Sequence, residues 1–199
     1  MGEHDPGLQT GELGHTVADD LKSVAREGSP EARSSEPLTP LEVTQFAIKL
    51  RGHMGHELGA MVNVNRNDPY EPKQNQLRGD MTALDMVARA ATGDDLDPHE
   101  PESPEGATAA DRLAGVVQLY EHARRLDHQT GDVIMTDNSE GNRYYIYARA
   151  LLITRALEDD PQAAREAVLA KPLEVSVPDY VRAPIRPEDL PDAGQAKAE

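Results

Sequence analysis

Helix-start signatures constrain this chain more than any other feature. Thr39-Pro40-Leu41-Glu42, Thr108-Ala109-Ala110-Asp111 and Asp160-Pro161 each put a side-chain oxygen where the first free N–H groups of a helix need an acceptor. Apolar residues follow at three- and four-residue spacing, the period of one helix face. Behind Thr39 the stripe is Val43, Phe46, Ala47, Leu50, Met54, Leu58 and Met61, fading near Asn65 to Asn67. Such a pattern predicts an all-α fold, a small bundle of about four or five helices.

Each further helix is bounded by the same reasoning. Asp80 caps a second one carrying Leu84, Val87, Ala88 and Ala91 inward, and Gly93 stops it. The third runs from Thr108 through His128 on Leu113, Val116, Val117, Tyr120 and Ala123, with Gly131 at its end. Between Val133 and Tyr147 the pattern allows a hairpin around Asn138 to Gly141, or a turn followed by a helix over about 142–157. Tyr145, Ala148, Leu152 and Ala156 share one helical face, which favours the helix. The fifth begins at Asp160.

Outside these elements the sequence is breaker-rich. Its 199 residues include 15 Pro and 15 Gly, with one Phe, no Trp and 6 Tyr, so Leu, Val, Ile, Met and Ala must fill the core. We expect a mostly disordered tail over 1–38, with a short helix at 16–26 behind the Thr16–Asp19 box. A helical domain over 39–171 follows, its acidic loop 93–107 expected to be disordered, and then a Pro-rich extended tail over 172–199.

Charge and composition exclude several functions. A formal net charge of -16 repels phosphates, which argues against nucleic acid and anionic membrane as partners. With no cysteine there is no disulfide, thiolate zinc site or thiol catalysis. The N-terminus shows no basic and apolar leader pattern, and the most apolar run, Tyr144 to Leu157, is interrupted by Arg149 and Arg155. Cytoplasmic localisation is the expectation, with no cofactor.

The first long helix holds the feature that needs explaining. On a wheel, Gly52, Gly55 and Gly59 fall opposite the apolar stripe, beside Gln45, His56, Asn63 and Arg66. Each glycine in an exposed helix interior costs about 1 kcal/mol relative to alanine. Close approach of another backbone would offset that, from a neighbouring helix, from the N-terminal segment or from a partner protein. His53 lies between the faces, where it can pair with Glu57. His56 points away from the core, an exposed imidazole beside a carboxylate that could accept phosphate or a proton.

The run Met54 to Asn63, MGHELGAMVN, resembles the phosphoacceptor and dimerisation box of sensor histidine kinases. His56, Glu57 and Leu58 match the family's His-Glu-Leu, and Val62 and Asn63 suit their positions. Gly59, Ala60 and Met61 depart from its basic residue, Thr and Pro. No ATP-binding boxes follow, since TDNSEGNRYY lacks the paired glycine motifs. The resemblance implies phosphotransfer with His56 as acceptor and Glu57 beside it, or a dimerisation module without kinase activity.

A metal site is the third reading. His53, His56 and Glu57 have usable spacing, with His122, Asp127 or His99 to complete a set, but their order is not that of zinc peptidases. The carboxylates of DDLDPHE lack a calcium loop's turn glycine. No metal is therefore assigned.

The leading expectation is a non-enzymatic regulatory module that binds a protein through Gly52, Gly55, His56, Gly59, Asn63 and Arg66, with a homodimer allowed. The alternatives are histidine phosphotransfer and a metal-dependent hydrolase.

Overall fold

The computed structural model of the protein describes residues 36–64, 72–171 and 175–191. Residues 1–35 of the tail expected over 1–38, with its short helix at 16–26, lie outside the described residues, as do Arg66 and the side chain of Asn63. Among the described residues the fold is an all-α bundle without a named strand.

Helix α1, Pro40–Val64, starts where its capping box predicts. The Thr39 amide donates to Glu42 Oε2 at 2.8 Å and the Glu42 amide to Thr39 Oγ1 at 3.2 Å. Phe46, Ala47, Leu50 and Met54 are buried, and Val43, Leu58 and Met61 are packed against them.

Helix α2, Pro72–Thr92, starts eight residues before Asp80 and so corrects the expected cap there. Pro72 takes the first helical position, where its missing N–H and fixed φ suit a helix start. Gln74 and Leu77 are already buried in the first turns. Gly79 sits inside the helix where Met135 and the Tyr145 ring come close, 3.1 and 3.3 Å from where a Cβ would be. Asp80 is not a cap. It is buried mid-helix against Arg149.

Gly93 ends α2 at φ +80°, in the left-handed region a C-terminal glycine supplies. The acidic loop that follows is ordered, contrary to expectation. Leu96 and Asp97 are buried, and Glu100 is in an ion pair with Arg112 at 2.8 Å.

Helix α3, Ala109–Leu119, has the expected box at Thr108 and Asp111 but stops well before His128. Tyr120 leaves the helix with its ring stacked on Tyr147, centroids 6.1 Å apart. A 3-10 turn, Glu121–Ala123, comes next, and then Leu126 bridges Val133. Gly131, at φ +74°, serves that return turn and not a helix end.

Helix α4, Ser139–Asp159, settles the hairpin alternative and starts three residues before the expected Asn142. Asn138 caps it, accepting from the Gly141 amide at 2.5 Å. Its buried residues include Tyr144, Tyr145, Tyr147, Ala148, Ala150, Leu151 and Ile153, on more than one face, so α4 is the central helix. Helix α5, Pro161–Leu169, is capped by Asp160 as expected. The Lys49 ammonium donates to the Val168 and Ala170 carbonyls at its far end, where a cation suits the helix dipole.

The C-terminal segment is also corrected. Val175, Val181, Ile185 and Leu190 are buried, a short helix α6 covers Asp179–Arg182, and Tyr180 stacks on Phe46 at 6.5 Å. The Val133 amide donates to the Ile185 carbonyl at 2.6 Å. The described helical domain therefore extends past 171 to 191.

Candidate functional site

Helix α1 presents two faces of different character. Its core face packs on α2 and α5. On the other side Gly52 and Gly59 are exposed, and a Cβ built at either would have nothing within 4 Å. Gly55 is closer to the flank, with Met81 Cε at 3.7 Å from such a Cβ. Neither a neighbouring helix nor any other described segment covers Gly52 and Gly59, so packing among the described residues does not account for them.

Three large apolar side chains share this exposed side: Leu41 is 62% exposed, Ile48 65% and Val62 42%. Leu41, Ile48, Gly52 and Gly59 fall within about 40° of one another at about 100° per residue. They form a single stripe without a formal charge. The glycines stand out in the sequence, whereas the apolar residues beside them do not. The signal was there, because Leu41 and Ile48 are seven residues apart and Ile48 and Gly52 four.

His56 is exposed on the same side, as expected. His53 is half-buried at the boundary, but Glu57 is not its partner. Arg182 Nη2 lies 2.5 Å from Glu57 Oε2, which draws that carboxylate toward α6. Asn63 lies on the α1 backbone near its end.

No group of three His, Asp or Glu that could hold a metal occurs among the described residues. His122 instead meets Glu140 at 3.1 Å on the surface. No helix among the described residues is long and apolar enough to cross a membrane.

Two buried polar clusters were invisible to local reading. Asp80 Oδ1 is 3.2 Å from Arg149 Nε and accepts from the Tyr145 hydroxyl at 2.8 Å. Arg149 Nη1 also donates to the Ala183 carbonyl at 2.5 Å, so one guanidinium joins α2, α4 and the C-terminal segment. Burial pushes the Asp80 carboxyl above its ordinary value, outweighing the pull of Arg149 and Tyr145. Burial likewise pushes the Tyr145 hydroxyl up to about 12.

Asp97 is the centre of the second cluster. Burial favours its neutral form, but the His99 amide and the Tyr147 and Tyr120 hydroxyls, with Arg143 nearby, together hold it below the usual aspartate value. The Tyr120 hydroxyl donates to Asp97 at 3.1 Å and accepts from Arg143 at 2.8 Å.

An open cleft of about 730 Å³ runs past this cluster. Its two arginines are committed to the loop: Arg112 to Glu100 and the Asp94 carbonyl, Arg89 to the Asp95 carbonyl. The arrangement pins the acidic loop to α3 and α4. The candidate functional surface is thus the exposed face of α1. No protein-family model, curated protein or solved structure matches this chain.

Proposed function

We propose that this protein is a non-enzymatic regulatory module that binds a protein partner through the exposed face of α1. The observation that carries the reading is the stripe of Leu41, Ile48, Gly52 and Gly59, which no other described segment covers, flanked by His56. Apolar side chains grouped on one rigid element mark interaction surfaces more often than scattered ones do. Glycines among them let a partner's backbone come close, as small residues do wherever helices pack tightly. The stripe itself carries no formal charge that a partner would have to bury unpaired.

A photo-crosslinking residue placed at Gly52 or Gly59 tests this in cells. Each position is expected to give one discrete adduct, and the exposed Glu166 on α5 none. An adduct of twice the chain's mass would identify a second copy as the partner. No adduct from either glycine, or the same products from position 166, overturns the reading.

Phosphotransfer to His56 is the second reading, supported by the exposure of that ring. Acid-labile phosphate on the wild type and none on His56→Gln is its expected signature. No label from any phosphodonor on the wild type removes it.

A further inference from the structure

The end of the bundle where α1, α3 and α5 begin and α2 and α4 finish holds a groove of about 420 Å³. That volume lies within the range of small-molecule sites. Val43, Val87, Ala91 and Leu157 give it apolar walls, and Thr154 and Glu158 are the polar side chains among its lining.

Both polar residues are unusual. Thr154 is buried and its hydroxyl has no hydrogen-bond partner, although a helical threonine can ordinarily bond the carbonyl four residues back. Glu158 is four residues on, hence on the same face of α4. Burial, with Asp111 and Asp159 nearby, raises the Glu158 carboxyl above its ordinary value, and Arg155 offsets only part of this.

The charge around the groove selects the sign of a ligand. Three helix N-termini point at this end and would favour an anion, but each already carries a carboxylate, Glu42 and Asp111 in their capping boxes and Asp160 as the cap itself. Glu158 and Asp159 add to these, while Arg165 is paired with Glu42. The balance is negative, so a cation fits and a carboxylate does not.

We propose that this groove binds a small amphipathic amine. Its apolar body would lie on Val43, Val87, Ala91 and Leu157, and its ammonium would donate to the Glu158 carboxylate and, once the enclosed Thr154 side chain changes rotamer, to its hydroxyl.

Calorimetric titration of the full chain with decylammonium, decanol and decanoate, each below its micelle concentration, tests this. Decylammonium is expected to bind saturably at one site, with decanol and decanoate each weaker by about tenfold or more. Glu158→Gln and Thr154→Val are each expected to weaken decylammonium binding. Thr154→Val removes an unpartnered hydroxyl at nearly constant shape, so it keeps the fold. Absence of saturable decylammonium binding overturns the assignment. So does decanol or decanoate binding as tightly, or both variants binding like the wild type.

Discussion

Asp80→Ala is expected to lower the unfolding free energy by about 3–5 kcal/mol, because it leaves the Arg149 guanidinium buried without its counter-charge. Arg149 is almost fully buried, and its Nε faces Asp80 Oδ1 at 3.2 Å. The same substitution strips the Tyr145 hydroxyl of its acceptor. For a domain of ordinary stability that loss is a large share of the whole. Asp80→Leu with Arg149→Met is expected to recover most of it, since the pair's attraction is largely spent against desolvation. The raised Asp80 carboxyl is a sign of that balance. Urea unfolding followed by circular dichroism measures both variants. A single variant within about 1 kcal/mol of wild type, or a double variant no better than the single, would contradict the assignment of Asp80 and Arg149 as a clamp.

Gly141→Ala is the second large effect. A Cβ at Gly141 would sit 1.8 Å from Thr136 Oγ1 and 2.9 Å from Thr136 Cβ, so rotating the hydroxyl aside does not make room. The backbone near Thr136 or the start of α4 must move. Asn138 Oδ1 would lie 3.0 Å from that Cβ, so the movement also disturbs the cap on the Gly141 amide. Overpacking costs about 1–3 kcal/mol and a lost cap about 1 kcal/mol, so a loss of about 2–4 kcal/mol is expected in the same unfolding assay. Thr136→Ala in the Gly141→Ala background should recover part of it. A Gly141→Ala protein as stable as wild type would mean that α4 does not start against Thr136.

The pattern of what could be read from sequence follows the distance between partners. The caps at Thr39, Thr108 and Asp160 were legible because each acceptor serves an amide three residues away. Asp80 looked like a fourth cap because aspartate is chemically fit for both roles. Its deciding partners, Tyr145 and Arg149, are 65 and 69 residues further on, beyond any local pattern.

Tyr120 misled in the same way, since its hydroxyl is held by Asp97 from a loop that composition alone marked as disordered. Averaging over the acidic residues hid Leu96, whose burial anchors that loop. Val175, Val181, Ile185 and Leu190 follow neither a helical nor a strand period, so nothing in the C-terminal segment announced that it is buried against the bundle. The α1 face was half legible. Glycines in a helix stand out, while Leu41 and Ile48 look ordinary until the structure leaves them uncovered.

Gly52→Ala with Gly59→Ala tests that face most directly, because one variant carries two opposed expectations. Nothing lies within 4 Å of either new methyl group, so the free protein should gain up to about 2 kcal/mol in unfolding free energy. If a partner's backbone closes on these glycines, the same methyl groups stand in its way. The measurement is the affinity of this variant for the partner captured by crosslinking from Gly52, made alongside its unfolding curve. We predict a more stable protein that binds its partner about tenfold more weakly or worse, a loss of about 1.4 kcal/mol or more in binding. A more stable protein that binds as tightly as wild type would show that the glycine face of α1 is not the binding surface.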